Sequence, residues 1–429
     1  MVTSLYQHLV PIGMVLLGAA SLDARAAGGA GLSASASRGQ YLATVGDCVS
    51  CHSVPGRPPY AGGFIVNAPF GKIYSSNITP DTTFGIGKYS FDDFRTTMRE
   101  GVTPSGKHLY PAMPYASFAA ASDDDLRDLY NYLREGVVPV AIKPPDTHLP
   151  FPFNQRWGIT FWNLFFARHS RFAPDAKHDA LWNRGAYLVQ SFGHCGACHT
   201  TRGIAYQERG YNEESRYFLA GMVLDNWYAG DLREDNATGL ARWSAADIDR
   251  MLATGSAAGS AVFGSMTEVV EHSTQYLRDD DRKAIAAYLK SLAPSSENAR
   301  YVPGREEPPV AIAASSPKGE HPGAGVYANF CSKCHSEDGK GETGRYPALA
   351  GSPMLLSGNP LSVARLVLEG GPTARTSAGP KREIMPAFAH RLSDAQIADV
   401  LNFARQSFGN QASPIPAKAV SDLRRALEE

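Results

Sequence analysis

The sequence predicts an all-α protein made of three tandem small helical units. Three observations carry this reading. One pentapeptide pattern recurs as "CVSCH", "CGACH" and "CSKCH" and uses all six cysteines of the chain. The segments leading into it are alike: "RGQYLATVGDCVSCH", "RGAYLVQSFGHCGACH" and the shorter "GAGVYANFCSKCH". Three later segments, "SDDDLRDLYNYLREG", "RDDDRKAIAAYLKSL" and "SDAQIADVLNFARQS", each pair a Ser or Asp N-cap signal with acidic residues in the first turn. Aromatic or leucine positions then recur at helical spacing toward their ends.

A chain of 429 residues has room for two to four domains. Its 41 glycines and 29 prolines point to short helices and many loops. A formal net charge of -1 gives no support to a nucleic-acid partner, which favours a basic patch.

Taken in order, residues 1–26 read as a signal peptide. An apolar run from Val10 to Leu22 precedes Ala24-Arg25-Ala26, a small-residue cleavage site. A membrane anchor is the competing reading, but the run is too short for a hydrocarbon core of roughly 30 Å. No later segment reaches the ~18 apolar residues of a spanning helix, so the mature protein is expected to be exported and not to span the membrane.

Residues 34–145 form the first unit. Tyr41, Leu42 and Val45 make the apolar stripe of its first helix, and Ser90 starts a further helix. Residues 146–178 are a linker containing "RWGITFWNLFFARHSRF", residues 156–172. Its aromatic content and basic ends suit an interfacial membrane helix, but packing over a haem or against another unit is the favoured reading. The second unit covers residues 179–295, with Ser244 as the matching helix start. A Pro/Ser-rich linker, 296–318, leads to the third unit at 319–412 and a C-terminal tail at 413–429.

Cys-x-x-Cys-His is the attachment signature of c-type haem. Two thiols reach the two vinyl groups of the porphyrin, and the histidine lies under the iron. The pairs are Cys48 and Cys51, Cys195 and Cys198, and Cys331 and Cys334; the proximal ligands are His52, His199 and His335. A disulfide framework would spread its cysteines rather than cluster them. A four-cysteine zinc site would strand the third pair and leave the histidines unexplained. A thioredoxin-type pair needs no following histidine. Three covalently attached haem c groups are expected, completing three small cores.

Iron held between His and Met is a closed electron-transfer site of raised potential. "YPAMPY" sets Met113 between prolines before the last helix of unit one, and "IMPAF" sets Met385 in the same slot of unit three. In unit two, "FGSMTEVVEHSTQYL" lacks the proline. Position in the repeat assigns the slot to Met266, with His272 as the rival ligand. Met98, Met251 and Met354 fit core packing. His194, next to Cys195, cannot reach the far haem face.

With these motifs in hand, the chain resembles the triheme cytochrome c subunits of bacterial membrane-bound dehydrogenases. The resemblance runs from about residue 38 to 412 and rests on "PYAGG", "IYSSNITPD", "GIGKYS", "YPAMPY", "GHCGACHT", "DNWYAGDL", "TGLARWS" and "VFGSMTEVVEHSTQYL". It implies three tandem cytochrome c-type domains. It also implies passage of electrons from a large flavin or quinoprotein subunit that oxidises an alcohol, sugar or sugar acid to membrane ubiquinone. A small subunit can accompany the large one. Peripheral attachment to the periplasmic face of the bacterial inner membrane is part of the same implication. The alternative is a cytochrome component of a molybdenum hydroxylase or a free periplasmic carrier. No dinucleotide fingerprint or nucleophile elbow is present, so no catalytic residue and no substrate-oxidising centre is expected in this chain.

Overall fold

A computed structural model describes residues 31–295 and 321–428. The signal peptide expected at 1–26 and the linker expected at 296–318 lie outside these residues. The described chain is mostly helical, with four small two-stranded antiparallel hairpins that the all-α expectation did not include.

The first stretch runs α1 (Ala34–Val45), α2 (Cys48–His52), hairpin β1 (Ile65–Ala68) and β2 (Gly71–Tyr74), α3 (Phe91–Glu100), α4 (Tyr115–Phe118) and α5 (Asp123–Glu135). Helix α6 (Gly158–Phe166) follows. The second stretch has α7 (Ala180–Gln190), α8 (Gly196–His199), hairpin β3 (Met222–Leu224) and β4 (Trp227–Ala229), and α9 (Ala245–Thr254). It continues with hairpin β5 (Ser256–Ala257) and β6 (Ser260–Ala261), α10 (Ser265–His272), a short 3-10 turn and α11 (Asp279–Lys290). The third has α12 (Ala324–Phe330), α13 (Ser332–His335), α14 (Pro353–Leu356), α15 (Leu361–Glu369), hairpin β7 (Gly371–Pro372) and β8 (Ile384–Met385), α16 (Asp394–Gln406) and α17 (Ala417–Glu428).

Local chemistry explains the helix ends. Ser90 with Asp93, and Ser244 with Asp247, form reciprocal capping boxes at the starts of α3 and α9. Both helices stop at a left-handed glycine, Gly101 (φ 66°) and Gly255 (φ 72°). Ser393 with Gln396 forms the same box at the start of α16, and the Ser122 hydroxyl accepts the Asp125 N–H at the start of α5. Helix α11 differs: Asp279 is already its first residue, and Arg278 stands at the cap without a side-chain bond. The acidic run Asp279–Asp281 then supports the helix through its dipole.

One packing device recurs three times. In each stretch the helix before the Cys-x-x-Cys-His turn meets a later long helix at a glycine. A Cβ at Gly39 would overlap the carbonyl oxygen of Asp128, at Gly185 that of Ala284, and at Gly323 that of Asp399. The helices α1 and α5, α7 and α11, and α12 and α16 therefore approach backbone to backbone, which only glycine permits. Four residues beyond each of those carbonyls stands a buried aromatic: Tyr132, Tyr288 and Phe403. These shared features define a first, second and third repeat.

The first two repeats share one apolar core. Leu42, Phe94, Phe118, Leu126 and Leu129 of the first are continuous with Leu188, Phe192, Phe218, Ile248 and Leu289 of the second. Full burial of Phe192 alone contributes about 1.5–3 kcal/mol. Two reciprocal bonds cross the seam. The Tyr41 hydroxyl donates to Asp281 at 2.5 Å in the first turn of α11, and the Tyr187 hydroxyl donates to Asp125 in the first turn of α5. Burial, with Asp281 beside it, pushes Tyr41 up to about 12.

The third repeat builds its own core from Leu355, Val363, Leu368, Phe388, Ile397 and Leu401. The tail joins it: Ile415, Val420 and Leu423 are buried there as α17 packs on α15 and α16. The expected tail at 413–429 therefore carries a packed helix. Arg405 is 1% exposed and spends its guanidinium on backbone carbonyls of Leu355, Ser357 and Ser413. That clamps the start of the tail to the end of α14.

Candidate haem sites

Each Cys-x-x-Cys-His motif folds into one short helical turn: α2, α8 with Cys195 at its cap, and α13 with Cys331 at its cap. None of the six cysteines is in a disulfide. Burial pushes Cys48 and Cys195 up to about 12 and Cys331 to about 11, while Cys51 and Cys198 are exposed at the surface.

The three histidines share one geometry. His52 Nδ1 lies 2.7 Å from the Ser76 carbonyl oxygen, His199 Nδ1 lies 2.7 Å from that of Gly230, and His335 Nδ1 lies 2.9 Å from that of Pro347. A carbonyl only accepts, so Nδ1 carries the proton and Nε2 keeps its lone pair. Such a bond fixes the tautomer and the orientation of a metal-binding imidazole. Burial lowers all three imidazole pKa values, against the pull of the carbonyl bond, and so favours the neutral, ligating form.

A second set of residues, missed in the sequence, builds this geometry. The carbonyl of each histidine accepts an N–H from a left-handed glycine: Gly62 (2.8 Å), Gly221 (2.7 Å) and Gly341 (3.0 Å). A Cβ at Gly62 would run into Ser76, at Gly221 into Tyr228, and at Gly341 into Tyr346 and Pro347. These glycines let the chain fold back so that the Nδ1 acceptor meets the ring. Their separations from the histidine all differ, so no regular spacing advertises them. The acceptors themselves are backbone groups and leave no residue-type signal. Short pairings set up their approach: β1 with β2, β3 with β4, and the bridge from Glu342 to Tyr346.

The three candidate methionines are all half-buried against apolar clusters. Met113 packs on the core of the first two repeats, Met385 on that of the third, and Met266 on Val262, Val270 and Ala374. Backbone pairing supports the slot of Met266. After Gly101, Val102 bridges to His108, and Met113 follows at the fifth residue; after Gly255, Ser256 pairs with Ala261, and Met266 follows at the fifth. In the third repeat Met385 is itself the pairing partner, opposite Gly371. Neutral imidazole nitrogen and thioether sulfur are a donor set that fits haem iron. Of the methionines assigned to packing, Met98 is 6% exposed in the core, Met251 lies beside Met266, and Met354 rests against Gly230.

Two further histidines, both of the second repeat, contact the first. His272 Nδ1 lies 2.9 Å from Ser50 Oγ, inside "CVSCH", and His194 Nε2 lies 3.1 Å from the Gly46 carbonyl. The first two attachment motifs therefore face each other, close enough for Cys198 to be among the groups that raise Cys51.

Helix α6 lies between these two repeats. Its inner face donates from Trp162 Nε1 to the Ala205 carbonyl (2.9 Å), and Asn163 accepts from Tyr115 (2.6 Å), two residues after Met113. Its outer face leaves Trp157, Phe161, Leu164 and Phe165 between 56% and 71% exposed. Among the described residues, no helix is long and apolar enough to cross a membrane.

Cys-x-x-Cys-His turns whose imidazoles are held in this way are what a c-type cytochrome needs, and comparison with known proteins agrees. The cytochrome c family profile matches residues 36–136 and 321–407. The gluconate 2-dehydrogenase cytochrome c subunit of Pantoea cypripedii is 45% identical over 394 residues, covering 90% of this chain and 89% of that one. The cytochrome c subunit of the quinone alcohol dehydrogenase of Gluconacetobacter polyoxogenes is 42% identical over 399 residues, 91% and 84% of the two chains. The fructose dehydrogenase cytochrome subunit of Gluconobacter japonicus is 36% identical over 410 residues, 91% and 82%. The chain belongs to this family of dehydrogenase cytochrome c subunits.

Proposed function

We propose that the chain is a triheme electron-transfer subunit, with three tandem cytochrome c-type domains at about residues 34–145, 179–295 and 319–412. It takes electrons from a catalytic subunit that oxidises an alcohol, sugar or sugar acid and delivers them to ubiquinone. The observation that carries this is the imidazole-to-carbonyl bond repeated at all three motifs. Cys48, Cys51, Cys195, Cys198, Cys331 and Cys334 would attach the haems. His52 with Met113, His199 with Met266, and His335 with Met385 would ligate the irons. Bound haem supplies reversible one-electron exchange at iron. The carbonyls of Ser76, Gly230 and Pro347 fix each imidazole ring, and the methionine sulfurs would complete the iron ligation, which disfavours open-site chemistry. The facing motifs of the first two repeats support transfer between neighbours.

Intact mass and haem content of the exported full-length protein test this: three covalent haems per chain are expected, and two or fewer would refute it. Residues 1–26 act as the signal peptide in this reading, and the protein works at the periplasmic face of the inner membrane.

The outer face of α6 is the proposed membrane contact. Replacing Trp157, Phe161, Leu164 and Phe165 by Ser is expected to move the protein toward the soluble fraction of lysed cells. Unchanged retention would exclude that face. Trp162 is an unsuitable target, because its indole N–H donates inward to the Ala205 carbonyl.

A further inference from the structure

The second repeat carries its candidate methionine in a way the others do not. Met113 sits in a turn between prolines and Met385 on a short strand, whereas Met266 is the second residue of the eight-residue helix α10. The chain enters α10 through Gly264 (φ 58°), where a Cβ would touch the Trp227 ring at 3.0 Å. Val270, fully buried, anchors the middle of the helix beside Val262 and Ala374.

The far end of α10 reaches both neighbouring repeats. Toward the first, His272 Nδ1 meets Ser50 Oγ at 2.9 Å, and Ser50 Oγ donates to Asp47 Oδ1 at 2.6 Å. Ser273 adds a bond to the Val45 carbonyl at 3.2 Å. Ser50 lies between Cys48 and Cys51, so these bonds hold the first attachment helix itself. Toward the third, Glu271 Oε1 accepts the Arg375 N–H at 2.7 Å and stands 3.7 Å from Arg382. Gln275 accepts the Ser377 N–H at 3.2 Å. Residues 373–383 form the loop that leads into Met385. One helix thus joins the Met266 segment to the first attachment motif and to the third methionine loop.

We propose that α10 is a coupling strut, in which His272 and Glu271 are positioning residues that set the placement of Met266 from the two neighbouring repeats. The inference rests on Met266 as the ligand of the middle haem. The potential of that haem then depends on contacts made outside its own repeat. Such dependence suits a chain in which three centres must hold a fixed relation while docked to a larger partner.

Potentiometric titration of the full-length holoprotein tests this, read together with the methionine–iron charge-transfer band. Met266→Ala identifies the middle haem as the component that it displaces. His272→Ala is expected to keep the full band, since no ligand is lost, yet to change the reduced-to-oxidised ratio of that same component at least threefold. This corresponds to about 28 mV at 59 mV per tenfold. His272→Asn, which retains a donor for Ser50, is expected to restore the wild-type value. Glu271→Gln, which leaves Arg382 without its charge partner, is expected to shift the same component by a smaller amount. If His272→Ala leaves all three potentials unchanged while Met266→Ala removes part of the band, the strut is wrong and the ligand assignment stands. If Met266→Ala leaves the band whole, the ligand assignment fails and takes the strut with it.

Discussion

The first and second repeats are packed as one body, and the third is attached to them differently. The pair shares a continuous apolar core and two reciprocal tyrosine-to-aspartate bonds across its seam. The third repeat keeps a separate main core and meets the second through one small apolar cluster, Ala374 with Val262 and Val270, and otherwise through polar contacts. Arg242 donates to the Gly351 carbonyl at 2.6 Å, the Ala348 N–H to the Gly259 carbonyl at 2.7 Å, and the Tyr228 N–H to Ser362 at 2.6 Å. Repetition of sequence therefore does not dictate equivalence of packing. Two copies that bury tyrosines and phenylalanines against each other become one cooperative unit. A copy joined by backbone and serine bonds keeps its own stability, as expected when few apolar contacts cross a boundary.

The largest test of this difference is a cavity in each core. Phe192→Ala is expected to cost about 3–5 kcal/mol and to lower a single calorimetric transition shared by the first two repeats, leaving the third in place. Leu401→Ala is expected to cost about 2–5 kcal/mol and to lower only the transition of the third. One transition moving for both variants would show that the whole chain unfolds together.

The seam is probed next. Tyr41→Phe and Tyr187→Phe each remove a hydrogen bond to a carboxylate, and about 1.5–3 kcal/mol is expected for each. Because the bonds are reciprocal, both variants should lower the same shared transition by similar amounts. Unequal losses would mean that one bond is incidental.

A smaller test uses pH. Burial pushes Glu208 in the second repeat up to about 7, against the pull of Arg202. A carboxyl raised on folding adds stability that is full below its unfolded pKa and is lost as pH rises through the folded one. The shared transition should therefore weaken between about pH 4.5 and 7. Glu208→Gln should reduce that slope, to which the buried Asp47 and Asp231 of the same two repeats also contribute, without touching the third transition. Chemical denaturation at a series of pH values reads both.

The chemistry of the candidate sites was largely legible. Cys-x-x-Cys-His is a local pattern, and Met113 and Met385 were marked by adjacent prolines. Ser90 and Ser244 showed the ends of their helices because capping is decided within four residues. What stayed hidden is long-range or backbone. Ser76, Gly230 and Pro347 act through carbonyls, and Gly62, Gly221 and Gly341 act through a conformation whose distance from the histidine varies. Tyr41 looked like an apolar stripe residue, because its partner Asp281 lies 240 positions away. His272 was weighed as a rival ligand, and its bond to Ser50 could not be read from one strand of sequence. Helix α17 has an amphipathic pattern, but only packing reveals that its apolar face completes the third core.

The most direct test of three closed His/Met sites is the methionine–iron charge-transfer absorbance per chain in four proteins. These are the wild type, Met113→Ala, Met266→Ala and Met385→Ala, each carrying its full haem complement. Each substitution is expected to remove about one third of the band, in line with one sulfur per iron. An undiminished band in Met266→Ala would contradict the assignment of the middle site.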